Sequence, residues 1–420
     1  MSKILISNIK SLLQINESNE LIKKGDDMKT LPAIDHAFLI IENESILDYG
    51  KMENCPKGDF DQTINAEGRF VLPTWCDSHT HLVYAGDRSQ EFEDRINGLS
   101  YEEIAKRGGG ILNSAKRLAD ASEDELYEAA YSRLDEIMAM GTGAVEIKSG
   151  YGLSVDTEIK MLKVIGKLKQ NHPITIKSTF LGAHAFPEAY KNDHDGYIDL
   201  IVNEMIPRVA KENLAEYIDI FCEEGYFTVA HTQRVLEAGK KHGLIPKTHV
   251  NQFNAIGGIE ASVHYDALSV DHLEVMDEQD YAFLENSRTI PTLLPSCSYF
   301  LSIPYGPARE MIKRGLPVAL ATDFNPGSTP SGNMNFVVAT ACIKMKMTPQ
   351  ESINAATING AYAMGISDTQ GSISRGKKAN IMITQPMSSI AYLPYYFGVN
   401  PIEQVILNGQ RTVHHTSSII

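Results

Sequence analysis

From Phe70 onward the chain alternates apolar, strand-like runs with amphipathic helical stretches, and no other feature constrains its fold as tightly. Such alternation marks a parallel sheet, because parallel neighbours need a crossover that returns the chain to the same sheet end. Eight runs qualify as strands: 71–81, 143–149, 174–185, 218–224, 245–252, 268–274, 289–298 and 318–325. The best-defined intervening helix starts at Ser122, with Glu125 three residues on as a capping box. It carries Leu126, Ala130, Leu134, Ile137 and Met138 on one face. Eight such units over about 250 residues match a (β/α)8 TIM barrel. A doubly wound open sheet is the alternative, but no glycine fingerprint follows the first strand.

The ends of the chain have a different texture. Ile4, Ile6 and the segment from Ala37 read as short strands, with a tight turn at Glu42-Asn43-Glu44 and an ambiguous patch from Ile9 to Leu13. After the barrel, Thr348-Pro-Gln-Glu opens helices that run to about Gly365, and the remainder returns to strands. Neither end is large enough for a core of its own. The expected division is therefore 1–69 plus 370–420 as one small composite, β-sandwich-like domain, and 70–369 as the barrel.

Composition narrows the partners. A formal net charge of -15 opposes nucleic acid, whose phosphates would be repelled. It leaves a small anionic substrate open, since that needs only one local cation. Five dispersed cysteines without paired spacing suit a reducing compartment. No window reaches the eighteen or so apolar residues of a membrane span, and the N-terminal apolar run is too short for a signal peptide. A cytoplasmic protein with no membrane partner is expected.

In a barrel, catalytic groups belong at the C-terminal ends of strands. The first run ends in His79-Thr-His81, whose imidazoles share one face of the strand, and the third ends in His184. The fifth carries His249 and Gln252, the sixth Asp271-His272, and the eighth Asp323-Phe-Asn325-Pro-Gly327. A His-x-His pair alone can be two polar residues satisfied at a strand end. Together His79, His81, His249 and Asp323 supply three nitrogens and one carboxylate oxygen. That set leaves room for a water on zinc or a similar metal. Gly108-Gly-Gly110 lacks the Gly-Lys-Ser/Thr of a nucleotide loop, so phosphate binding is not expected.

The pattern resembles the amidohydrolase superfamily, and within it the imidazolonepropionase family. The matching stretches are His79-Thr-His-Leu-Val-Tyr-Ala-Gly, Glu91-Phe, Ser100-Tyr-Glu-Glu-Ile-Ala, Arg107-Gly-Gly-Gly-Ile, Glu146-Ile-Lys-Ser-Gly-Tyr-Gly-Leu, Phe180-Leu-Gly-Ala-His-Ala, Asp271-His-Leu-Glu and Asp323-Phe-Asn-Pro-Gly. The resemblance covers nearly the whole chain. It implies hydrolysis of the cyclic C–N bond of 4-imidazolone-5-propanoate to N-formimino-L-glutamate, a step of histidine degradation. Carried over, it makes His79, His81, His249 and Asp323 the metal ligands. Arg88, Tyr151, His184, Gln252, Asn325, Gly327 and Ser328 become substrate contacts, and His272 sits beside the metal without necessarily binding it; their chemistry makes His272, Asp323 and His184 the expected catalytic groups.

The residue types suit those roles. Arg88 offers a planar fork for the propanoate, though it also reads as a solvated surface arginine. His184 and His272 are expected to polarise the carbonyl or meet the oxyanion. Glutamine at 252 cannot act as a base, which shifts that role to Asp323 or His272. The fourth strand ends Phe221-Cys-Glu-Glu-Gly without the lysine that bridges two metals in some relatives, so one metal per subunit, zinc or iron, is expected. The roles of Glu223 and Glu224 stay open. The expected assembly is a homodimer acting on a small anionic substrate. A deaminase or another cyclic-amide hydrolase of the same superfamily is the nearest rival, and the remaining histidines read as surface or loop residues.

Overall fold

The structure, a computed structural model, describes residues 2–99, 103 and 109–414. The motif stretches Ser100-Tyr-Glu-Glu-Ile-Ala (Glu103 apart) and Arg107-Gly108 lie outside the described residues.

Strands β1 (Lys3–Leu13), β2 (Ala33–Glu42), β3 (Ser45–Lys51), β4 (Gln62–Asn65) and β5 (Phe70–Pro73) precede the barrel. The barrel strands are β6 (Trp75–Thr80), β7 (Thr142–Lys148), β8 (Thr175–Ala183), β9 (Tyr217–Cys222), β10 (Ile245–Val250), β11 (Ser269–His272), β12 (Ile290–Leu293) and β13 (Ala319–Leu320). Strands β14 (Ile381–Thr384), β15 (Ile402–Leu407) and β16 (Gln410–His414) follow. Strands β6 to β13 pair in sequence order, each parallel to its neighbour. The ring closes between its first and last units, where His81 N–H donates to Phe324 O at 2.8 Å and Asp323 N–H to His79 O at 3.0 Å. The open-sheet alternative is thereby excluded, because that sheet would leave two free edges.

The two chain ends meet in one sheet ordered β16-β15-β14-β5-β1-β2-β3, with β4 also on β1. Ile6, Leu12, Leu39, Ile46, Val71, Ile381 and Ile406 share one apolar cluster, so both ends contribute to a common core. The ambiguous patch Ile9 to Leu13 is the second half of β1. The turn falls at Asn43, whose φ of 53° lies in the left-handed region that asparagine tolerates.

Two expected strands are corrected. Run 71–81 is two strands: β5 pairs with β1 and β14 in the end-built sheet, and only β6 enters the barrel. Both halves are buried throughout, so the apolar pattern is continuous across a change of sheet. Just after that change Trp75 is fully buried, and its indole N–H donates to Asn335 Oδ1 at 3.1 Å. Run 289–298 stops as a strand at Leu293, because Pro295 opens a helix, Pro295–Leu301. The helix Glu123–Ala139 has the expected capping box at Ser122 and Glu125, and it buries the five residues of its apolar face.

Candidate metal centre

Four side chains converge above the closing pair of strands. His81 Nε2 lies 3.3 Å from both His79 Nε2 and His249 Nε2. Asp323 Oδ1 is 3.5 Å from His79 Nε2 and 3.6 Å from His81 Nε2. The backbone ladder between β6 and the loop after β13 brings Asp323 there, with its φ at 59°. His272, with φ at 91°, has its ring 5.7 Å from that of His79 and 5.4 Å from that of His249. Such backbone strain at strand ends is typical of sites that aim side chains at a ligand.

The imidazoles are oriented from behind. Asp271 Oδ2 sits 2.7 Å from His79 Nδ1, and Asp219 Oδ2 sits 2.9 Å from His249 Nδ1. The Asp271 carboxylate hydrogen-bonded behind His79 keeps the proton on Nδ1 and turns that ring's Nε2 lone pair inward, while Asp219 stands as the charged neighbour of His249. Burial, together with the neighbouring histidines and Lys148, holds His79 and His81 well below the usual imidazole range. Burial alone would raise Asp219, but His249 and Lys148 hold its carboxyl well below the ordinary value. Three imidazole nitrogens and a carboxylate brought together at the strand ends are a donor set for a divalent metal. The residues therefore fit such an ion.

The centre opens into a cavity of about 260 Å³ that reaches Arg88, Tyr151, His184, Gln252, Asp323 and Ser328. Arg88 is not a solvated arginine: its Nε and Nη2 donate to Glu91 Oε2 at 2.7 and 2.5 Å. Glu91 is fixed in turn by Gly110 N–H at 3.0 Å on Oε1. His184 Nδ1 is 3.0 Å from Gly150 O, which can only accept, so the ring carries its proton on Nδ1. Burial pushes His184 down to about 3, so that imidazole is neutral. Tyr151 sits on a loop whose N–H groups at Gly150, Gly152 and Leu153 all donate to the buried Glu158 carboxylate, at 3.1, 2.6 and 3.0 Å.

Asn325 is engaged inside its own loop. Its Oδ1 accepts from Gly327 and Ser328 N–H, both at 2.8 Å, and its Nδ2 donates to Asp323 O at 2.7 Å. Ser328 Oγ is 3.2 Å from Asp323 Oδ2, which ties the loop to the carboxylate. Gln252 Nε2 is 3.5 Å from Cys297 Sγ. Glu223 accepts from Phe253 N–H at 2.9 Å and Glu224 N–H at 3.0 Å, so it braces the β9 and β10 loops, while Glu224 is exposed. His172, expected at the surface, is buried with Nε2 3.2 Å from Asp135.

The amidohydrolase family model matches residues 70–412, most of the chain. The chain belongs to the amidohydrolase family. Among similar amidohydrolases are an imidazolonepropionase of Christiangramia forsetii, 64% identical over 97% of this chain and 99% of its own, and one of Flavobacterium johnsoniae, 63% identical over 97% and 99%. A more distant one, of Geobacillus kaustophilus, is 40% identical over 99% of both chains. The fold matches a solved triazine hydrolase variant with a TM-score of 0.75 at 15% identity, covering 99% of this chain and 95% of that one. It also matches a Xanthomonas campestris adenosine deaminase with bound zinc, with a TM-score of 0.73 at 15% identity over 98% and 93%. As a member of this family the chain is a hydrolase.

Glu91, Glu158, Asp219, Asp271 and Lys148 carry much of the site, yet sequence reasoning assigned none of them a role. A charged residue inside an otherwise apolar strand, as in Ile218-Asp-Ile, was the available signal.

Proposed function

We propose that this chain hydrolyses 4-imidazolone-5-propanoate to N-formimino-L-glutamate, using one metal per subunit held by His79, His81, His249 and Asp323. The observation that carries this reading is identity to imidazolonepropionases along essentially the whole chain, the 64% match above included. Zinc or iron suits the nitrogen and oxygen donors, and the related fold that holds zinc supports the first. When bound, the metal supplies Lewis acidity and a water of lowered pKa.

The protein's own groups do the rest. Arg88, held flat by Glu91, presents its remaining N–H groups to the propanoate carboxylate. His184 accepts a ring N–H on Nε2, because its only proton already points at Gly150 O; the expected oxyanion donor role does not suit a neutral ring in this tautomer. Asp323 is raised by burial against the pull of His272 and His249, which suits taking a proton from the attacking water. Burial pushes the His272 imidazole down, but Glu274, whose Oε2 stands 3.6 Å away, together with Asp323 and Asp271 raises it above its ordinary value. It is therefore the group that returns a proton to the leaving nitrogen. Gln252 offers an amide to the substrate and takes no proton. Asn325 and Gly327 act through the loop shape and through Arg88, and Ser328 is the loop's hydroxyl at the pocket.

In this reading the unit 70–369 carries the chemistry, and 1–69 with 370–420 braces it. A homodimer in the cytoplasm completes the proposal, and five free thiols support the reducing compartment. Among the described residues no helix is long and apolar enough to cross a membrane. The test is the loss of imidazolone absorbance with metal-loaded protein. No turnover would sink the substrate assignment, and ammonia release from aminated heterocycles would install a deaminase instead.

A further inference from the structure

Beneath the four converging side chains lies a second, fully buried polar layer that the proposed chemistry does not use. Lys148, Glu146, Asp219, Asp271 and Lys247 all have essentially no exposure. Lys148 Nζ is 2.7 Å from Glu146 Oε1, 2.8 Å from Asp219 Oδ2 and 3.6 Å from Asp271 Oδ2. The last two atoms are the same oxygens that stand behind His249 and His79. One ammonium from β7 thus joins carboxylates on β9 and β11, three alternate strands whose inward residues meet inside a barrel. Asp271 is anchored further by Ser269 Oγ at 2.6 Å.

We propose that Lys148 is a positioning residue for metal binding: its ammonium clamps Asp219 and Asp271 together, and through them fixes the separation and tilt of the His249 and His79 rings. The inference rests on the metal-centre reading above. Without the clamp, the two carboxylates share a dry interior and move apart, because among the described residues no other ammonium or guanidinium pairs with either of them. Each carries its imidazole along, and the nitrogen lone pairs no longer meet at one point. Lys247 provides the contrast. It is equally buried, yet its ion pair among the described residues is with Glu146 alone; it also donates to Ser78 O at 3.2 Å and Ala363 O at 3.1 Å and lies over the Tyr217 ring.

The experiment compares zinc affinity of metal-free parent, Lys148→Met, Lys148→Gln and Lys247→Met by chelator competition, with the cobalt-substituted d–d spectrum as a geometry readout. Lys148→Met should weaken zinc binding by about ten- to a hundredfold and alter the cobalt bands. Lys247→Met, even if less stable to heat, should keep parental affinity and spectrum. Lys148→Gln, which retains amide hydrogens for the two carboxylates, should fall between them. Parental affinity in both Lys148 variants overturns the inference, and so does an equal loss in Lys247→Met. If neither Lys148 variant folds without metal while Lys247→Met does, the lysine is merely structural and the inference falls. A parent that binds no zinc would instead sink the metal-centre reading itself.

Discussion

Gly327 and Arg88 occupy one space: a Cβ on Gly327 would overlap Arg88 Nη1. Residue 327 is thus small so that a guanidinium can lie across it, and the loop after β13 and the segment after β6 shape one anion site between them. Gly327→Ala should push Arg88 off its Glu91 partner and raise KM for a propanoate-bearing substrate about tenfold or more, with kcat less affected. Arg88→Ala should do the same. The two changes should not add, because both remove one interaction. Steady-state kinetics of both single variants and the double variant check this, and additive effects would separate the residues.

His249→Ala removes one of the three converging nitrogens and leaves Asp219 without its imidazole. The variant should lose both metal content and turnover. Elemental analysis with the activity assay checks it, and retained metal with retained rate would refute the ligand set.

Metal should also be a stability ligand. Chelation should lower the melting temperature, and adding zinc should restore it in proportion to the logarithm of free metal. At a hundred times the dissociation constant the gain is about 2.7 kcal/mol. A melting temperature indifferent to chelator would mean that the four side chains hold nothing.

Gly150 has φ at 112°, and a Cβ there would lie 2.9 Å from His184 Nδ1 and 3.0 Å from Leu181 O. Gly150→Ala therefore strains the backbone and displaces the histidine at once. The expected loss is about 1–3 kcal/mol of stability together with a large fall in turnover. Denaturant titration and kinetics read the two effects separately.

The metal-free protein should lose stability in acid partly through His184. Its folded pKa of about 3 lies below the ordinary 6.5, so between those values the unfolded chain binds a proton that the folded chain refuses. That contribution is complete above pH 6.5 and shrinks as pH falls towards 3, by about 1.4 kcal/mol for each unit crossed. His184→Gln should flatten the slope of unfolding free energy against pH in this window. An unchanged slope would mean that the ring already protonates in the folded state.

The barrel was legible in the sequence, and so was the clustering of polar residues at its mouth. Strand–helix alternation and helix caps are local properties, readable from neighbours a few residues apart. His79, His81, His249 and Asp323 fall at strand ends, where a barrel gathers side chains whatever its loops do. What stands behind them emerges from three-dimensional packing alone. Asp219, Asp271 and Lys148 lie on β9, β11 and β7, and in sequence each is one charge within or at the end of a buried strand. Their partners are set by how the ring closes, which no local periodicity encodes. The same holds for 71–81, whose unbroken apolar run conceals a passage from one sheet to another. Arg88 read both as a carboxylate fork and as a solvated surface arginine, and the second reading fell only when the fold placed Glu91 beneath it and Gly327 beside it. Burial of a charge can be suspected from sequence, but the opposite charge that makes it tolerable is chosen by three-dimensional contact.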